Sequence, residues 1–506
     1  MYPAVHAQVA PDRPAVIMSP GGARVTYAEL DERSARLAAV FHGAGARRGD
    51  TVVLALQNDV RWAEVVWACL RSGLYIAPLN WHLTAAELTP LMEDAAPRAV
   101  VTSAGLYATM REAVQAARLP VAPLWLVAEA DEVWGGSWPA GVLDHDLAVA
   151  GTPRDPGLME TLGGRLLFSS GTTGRPKPFR VDPIDVHPAE ARMRLGSLLA
   201  KLGFTSGDVT YLATGPSYHA GPFAFLQAVH QLGGTAVMMS RFDAEGALAA
   251  IARHRVTHSQ WVPTMFIRML RLPEEIRRPH DLSSHRVAVH AGAPCPVEVK
   301  RAMLDWWGPI IHEYYGASEG FGSTAIGPDE WLEHPGSVGR AVDGELFIAD
   351  VEGRELPSGE VGVVWFRRSG AAGTAGDLGH VDPDGYLHLT GRASQVIISG
   401  GVNIHPREIE DLLALHPAVA DVAVVGVPHD EFGEQVKAIV EPTEDAHPGP
   451  DLERELVRYC RARLAHHKCP RSVDFVDQLP RSEAGKLLVA ELRARYWPAA
   501  QSAGTR

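Results

Sequence analysis

Between Asp50 and Gly316 the chain alternates strand-like apolar runs with stretches of helical periodicity, and this alternation most restricts what it can fold into. The runs are TVVLAL, an apolar helix from Arg61, AVVTS, LWLVA, RLLFSS, VTYLAT, TAVMMS, HSQWVP, RVAVHAG and IIHEYYG. Strand and helix in alternation predict an α/β fold whose helices cover parallel sheets. After Gly336 the runs shorten to GELFIAD, VGVVWFRR and GYLHLTG between Gly, Pro and Asp turns, which predicts a small antiparallel, barrel-like subdomain. After Arg392 the order is strand VIIS, helix PREIEDLLALH, strands VADVAVVGV and QVKAIVEP, polar linker TEDAHPGP, helix DLERELVRYCRARL and strand SVDFVD. That is a compact α+β unit of normal domain size. The expected division is therefore a large domain over residues 1–392 and a small mobile one over 393–506.

With 506 residues the chain exceeds the size at which single cores stop growing, so more than one domain is expected on length as well. No apolar run reaches the roughly 20 residues that span a membrane. The opening MYPAVHAQVAPDRP lacks the basic start and apolar run of a signal peptide. Four cysteines without paired spacing suit a reducing cytoplasm and argue against a disulfide framework or a zinc site. A net charge of -13 disfavours nucleic acid as a general partner, because phosphate affinity comes from clustered Lys and Arg. One basic cluster, Arg461, Arg463, His466, His467, Lys468 and Arg471, reads either as a solvated face or as a docking surface for a phosphorylated cofactor.

The stretch LLFSSGTTGRPKPFR, residues 166–180, follows a buried strand and gathers Ser170, Thr172 and Thr173 around glycines. Such loops present N–H groups and hydroxyls to phosphates without a large net charge, and Lys177 adds a cation for charge that develops during reaction. The Walker spacing is absent, since Lys177 does not follow a glycine, so a conventional P-loop is not expected.

SSGTTGRPK resembles the phosphate-binding signature of the acyl-adenylate-forming superfamily, which contains acyl-CoA synthetases, peptide-synthetase adenylation domains and luciferases. AGAPCP, EYYGASEG, GDLGHVDPDGYLHLTGR, SGGVNIHPREIE and PRSEAGK follow in the order of that family, so the resemblance covers nearly the whole chain. WVPTMFIRML and HAGAPCPVEVKRAML look most like bacterial ligases for long-chain or polycyclic acids. The resemblance implies a two-step reaction. A hydrophobic carboxylic acid attacks the α-phosphate of ATP to give acyl-AMP and pyrophosphate, and the thiol of coenzyme A then displaces AMP.

The same resemblance assigns roles. Ser170, Thr172, Thr173 and Lys177 would hold the β- and γ-phosphates, and Glu319 would bind Mg²⁺. Tyr315 would offer a ring face to adenine, with Gly292, Ala293 and Pro294 on the other side of the base, and Gly316 and Ser318 would belong to the same cofactor-binding set. Asp377 and Arg392 would bind the ribose, Lys486 would contact the carboxylate and α-phosphate, and Gly400 and Gly401 would pass the pantetheine arm. His219 would gate between acyl and thiol channels, and Gly221, Phe223, Ala291, Gly320 and Phe321 would line the acyl pocket. Gln395 would be the hinge, near residues 393–396.

Three departures from the family pattern leave a second reading open. Pro178 replaces the usual glycine and restricts Lys177 to extended conformations. Gln395 replaces a charged hinge residue. Between VVWFRR and GDLGH the chain has only SGAAGTA, much shorter than in relatives, and lost loops at a site's edge commonly mean a lost lid. The second reading is an enzyme that takes preformed acyl-AMP from a separate adenylating enzyme and performs only the transfer to CoA. A third is a nucleotide- or acyl-binding protein without catalysis.

Overall fold

A computed structural model of the chain describes residues 2–169, 177–193, 195–205, 208–316, 320–350, 352–368, 370–400, 402–481 and 487–497. The chain divides into two compact units, one of residues 1–261 and 271–289, the other of residues 262–270 and 290–506.

The first unit holds a seven-stranded sheet in the order Val142–Asp144, Leu124–Ala128, Pro97–Ser103, Thr51–Ala55, Tyr75–Pro78, Gly164–Ser169 and Lys177–Val181. All neighbours run parallel except the last pair. The central strand Thr51–Ala55 is buried along its whole length, as a strand covered on both faces must be. Helix Arg61–Arg71 is likewise almost wholly buried.

A further set of strands in this unit runs Arg24–Thr26, Pro14–Ser19, Thr235–Met239, Thr210–Ala213 and His258–Trp261. The strand Pro14–Ser19 lies outside the alternation recognised in the sequence. It pairs in parallel with Thr235–Met239, more than 200 positions away, and a buried histidine fastens it there. Trp67 Nε1 donates to His230 Nδ1 at 3.1 Å, and His230 Nε2 donates to the Ala15 carbonyl at 3.1 Å. One ring nitrogen donates and the other accepts, so His230 is a neutral imidazole by construction.

In the second unit Ile311–Gly316, Ser323–Ile326 and Arg340–Asp343 pair antiparallel. The expected barrel-like subdomain is an open sheet instead: Glu345–Ala349, Gly362–Arg368, Asp377–Val381 and Leu387–Arg392 in that order, with Ala371–Gly373 paired to Gly362–Arg368. Among the described residues its two end strands do not pair, so nothing closes it. It needs no closure, because one face buries Ile348, Val364, Phe366 and Leu387 in a cluster of its own.

Residues from Ile397 onward build another sheet, ordered Val402–Ile404, Ile397–Ser399, Gly433–Pro442 and Val419–His429, with Ser472–Phe475 parallel to Gly433–Pro442. The ten-residue register between Val419–His429 and Gly433–Pro442 carries alternate side chains to opposite faces. Val422 and Val424 face helices Pro406–Leu413 and Pro450–Arg461, while Ala423 and Val425 face Leu479 and Leu492. All four cysteines are free and buried. Among the described residues, no helix is long and apolar enough to cross a membrane.

Three buried histidines of the first unit set an acid limit. Burial pushes His230 and His258 down to about 4 and His285 to about 3. The unfolded chain protonates them below about 6.5, so their contribution to stability is complete above that pH and is lost as pH falls toward the folded values. Together they should steepen the loss toward about 4 kcal/mol per pH unit near pH 5. Urea unfolding at pH 7, 6 and 5 measures this, and a flat profile would contradict it.

Candidate active site

Asp377 and Arg392 stand opposite each other in the antiparallel pair Asp377–Val381 and Leu387–Arg392. Arg392 Nε donates to Asp377 Oδ1 at 2.8 Å, and the Tyr315 hydroxyl donates to Asp377 Oδ2 at 2.7 Å. Asp377 is buried, with 8% of its surface exposed, so its carboxylate keeps a fixed direction. Tyr315 is half-buried, its ring tilted at 6.3 Å from Phe366. One residue of an edge hairpin thereby ties Tyr315 and Arg392 to one point.

The shortened segment before Asp377 closes as a tight hairpin. Phe366 pairs with Gly373, Arg367 with Ala372, and Arg368 with Ala371. The Phe321 ring lies directly over Gly373, where no side chain beyond hydrogen fits. Thr374 Oγ1 donates to the Val364 carbonyl at 2.6 Å and accepts from Gly376 N at 2.9 Å, which carries the chain straight to Asp377. At the end of this short connection Asp377 has both of its partners, Tyr315 and Arg392.

Gly292 adopts φ +85°, a left-handed value that favours glycine, between buried Ala291 and the half-buried Ala293; Pro294 is exposed. Ala291 follows His290, and Tyr315 follows Glu313 by two residues, so both segments lead back to one buried ionic group. Lys300 Nζ donates to Glu313 Oε2 at 2.7 Å, His290 Nε2 lies 3.3 Å from the same oxygen, and the ammonium sits 4.7 Å over the Trp331 ring. Burial disfavours the Glu313 charge, but the imidazole and ammonium beside it prevail and hold the carboxyl at about 2. The sequence reading missed this group. Lys300 sits on a helix face with Val299, Met303 and Leu304, and only the partner strand reveals that this face is covered.

Lys177 is exposed and opens the strand Lys177–Val181, opposite Ser169, with Pro178 opposite Phe168. That strand is the edge of its sheet, the position where proline is tolerated because a missing N–H interrupts no inner ladder. The extended backbone expected of Lys177 is what the strand provides. His219 is the N-cap of helix Ala220–Leu232, with its ring 4.4 Å from Tyr218. Gly221 lies in the first turn of that helix, and Phe223 is fully buried there. Gly320 has φ +73°. Gly316 is exposed at the end of its strand.

Gln395 lies in a single 3-10 turn, Ala393–Gln395, and Ala393 N donates to the Gly376 carbonyl at 3.1 Å. Gly400 has φ +57° and donates its N–H to the Phe432 carbonyl at 2.9 Å. Ser170, Thr172, Thr173, Ser318, Glu319, Gly401 and Lys486 lie outside the described residues. The basic cluster is exposed except for the half-buried Lys468, and three of its six residues have partners within the fold. Lys468 pairs with Glu408 at 2.7 Å, and Arg463 and Arg471 stack over Tyr459 and Phe432 at 3.8 and 4.3 Å.

The buried pair makes a direct prediction. Lys300→Met leaves Glu313 uncompensated and should cost about 3–5 kcal/mol in urea unfolding, whereas adding Glu313→Gln should recover much of that loss. Equal losses in the single and double variants would contradict the pairing.

Models of the AMP-binding enzyme and of the AMP-binding enzyme C-terminal domain match residues 4–374 and 408–486. A feruloyl-CoA synthase from Amycolatopsis is 32% identical over 518 residues, covering 98% of each chain. A methyl-dioxo-octahydro-indenyl-propanoyl:CoA ligase from Mycobacterium tuberculosis is 34% identical over 509 residues, covering 96% of each. Among solved structures, the o-succinylbenzoate CoA synthetase from Bacillus subtilis in complex with its acyl-adenylate intermediate matches with a TM-score of 0.78 at 27% identity, covering 97% of each chain. With both models matched and relatives of 32% and 34% identity over nearly its whole length, the chain belongs to the AMP-binding, acyl-adenylate-forming enzyme family and is an acid–thiol ligase.

Proposed function

We propose that the chain activates a hydrophobic aryl or polycyclic carboxylic acid with Mg²⁺–ATP and passes the acyl group to coenzyme A. A carboxylate oxygen attacks the α-phosphorus, and pyrophosphate leaves. The thiolate sulfur of CoA then attacks the acyl carbonyl, and AMP leaves with the electrons of the broken C–O bond. The first step exists because a bare carboxylate has no good leaving group.

The observation that carries this reading is the Asp377 carboxylate, held by Tyr315 and Arg392 at 2.7 and 2.8 Å although the segment before it is short. A buried carboxylate with a fixed direction is an acceptor for vicinal hydroxyls such as those of ribose. Tyr315 supplies an aromatic face next to it, and the left-handed turn at Gly292 brings bare backbone to a flat base. In the same reading Ser170, Thr172, Thr173 and Lys177 hold phosphates, Glu319 holds Mg²⁺ as a hard cation suited to carboxylate, and Lys486 stabilises charge at the α-phosphate. His219 gates the thiol channel, and Gly221, Phe223, Ala291, Gly320 and Phe321 line the acyl pocket. Residues 1–392 and 393–506 act as the two domains, with Gln395 as hinge, and Gly400 and Gly401 give the pantetheine arm room. Four free, buried thiols agree with work in a reducing cytoplasm.

The deciding experiment is mass spectrometry of thioester formation over a panel of long-chain, aryl and polycyclic acids. Free acid with ATP, Mg²⁺ and CoA is compared with synthetic acyl-AMP and CoA. Product from both is expected. Product from the adenylate alone would assign the first half-reaction to another protein, and product from neither would remove the ligase reading. Lys486→Ala should slow acyl-AMP formation by about two powers of ten or more and largely spare transfer from acyl-AMP to CoA. Equal loss in both halves would overturn its assigned role.

A further inference from the structure

The turn joining Asp377–Val381 to Leu387–Arg392 gathers histidines and carboxylates that the ligase reading does not use. His334 Nδ1 and His388 Nε2 both lie on one oxygen, Asp382 Oδ2, at 3.1 and 3.2 Å. His334, Asp382 and Asp384 each offer a ligand atom, and these atoms lie within 4.8 Å of one another. The other oxygen of Asp382 accepts from Asp384 N at 3.0 Å and Tyr386 N at 2.8 Å, so the carboxylate cannot swing away.

The rings are held as firmly. Tyr386 stacks on His334 with centroids 3.8 Å apart, and Arg340 lies 4.3 Å over the Tyr386 ring. His380 stacks flat on His388 at 5.1 Å. Two imidazoles on one carboxylate oxygen separate this cluster from an ordinary acidic patch. For metal–ligand bonds of about 2.0–2.1 Å, the edge of a tetrahedron is about 3.3–3.4 Å. The His334–Asp382 separation is already close to that edge.

We propose that His334, Asp382 and Asp384 bind a divalent transition metal of the zinc class, with His388 as the outer group that orients Asp382. Mixed imidazole and carboxylate donors favour such an ion over Mg²⁺, which prefers oxygen alone. A carboxylate ligand that is itself hydrogen-bonded is the usual second layer of a metal site. The metal would tie the segment around His334 to the hairpin that carries Asp377 and Arg392 at its other end. That segment already touches the hairpin through Ser337 Oγ and Val338 N, which both donate to the Leu387 carbonyl.

The test uses the untagged full chain, stripped with chelator and titrated with Zn²⁺ alone in a calorimeter. Bound metal is counted after dialysis, because 22 histidines provide weak sites elsewhere. One Zn²⁺ per chain more than in His334→Gln or Asp384→Asn is expected, and His388→Asn should weaken that site about tenfold or more. Co²⁺ in place of Zn²⁺ should give visible absorption bands that both ligand variants lose and that Mg²⁺ does not displace. Equal metal counts in wild type and both ligand variants would overturn the proposal, as would the absence of saturable binding. Asp384 is exposed, so Asp384→Asn leaves the fold intact and decides the matter even where His334→Gln does not fold.

Discussion

The Asp377 carboxylate ties the two strands of its own hairpin to a strand 62 positions earlier in the sequence. One oxygen takes the Arg392 guanidinium across the hairpin, and the other takes the Tyr315 hydroxyl from the strand Ile311–Gly316. Hydrogen bonds to an ionised acceptor are about twice as strong as neutral ones, and burial spares them from competing water. The hydroxyl end of Tyr315 is fixed by that carboxylate.

Behind it stands a second constraint of a different kind. Lys300 and Glu313 form an ion pair in the interior with the His290 imidazole beside it, where charge is costly unless its partners are close. Such a group adds little net stability over an apolar core, but it penalises any arrangement that separates its members. His290 leads into the Gly292 turn and Glu313 leads to Tyr315. The penalty therefore falls on misplacement of the two segments that would face the adenine.

Most of the fold was legible because it rests on local periodicity. Every strand-like run from TVVLAL to IIHEYYG contains a strand, and after Arg392 the expected elements occur in the expected order, with the strand Val402–Ile404 and the helix Val489–Ala494 added to them. The inner strand Tyr75–Pro78 was not read from the sequence, and two larger features were not legible either. Pro14–Ser19 carries no long alternation, and its place beside Thr235–Met239 depends on Trp67, His230 and Ala15 meeting across 215 positions. The open sheet from Glu345 to Arg392 differs from a barrel only in whether its end strands pair, which turn residues do not encode. At the site, ordered motifs pointed to Tyr315, Asp377 and Arg392, whereas Lys300 gave no signal, because one lysine among apolar neighbours reads as a surface residue until its partner strand is known.

The departures from family pattern share a physical logic. Pro178 falls on an edge strand, where a missing N–H interrupts no inner ladder, and the deleted segment falls in a connection between neighbouring antiparallel strands. Loop closure changes slowly with loop length, so shortening such a connection costs little when the strands it joins are already paired. Gly373 makes the short path feasible, since any larger residue there would collide with Phe321. Beside this short connection stand the carboxylate that two donors hold and the buried Lys300–Glu313 pair, so its length does not disturb how these described residues are aimed.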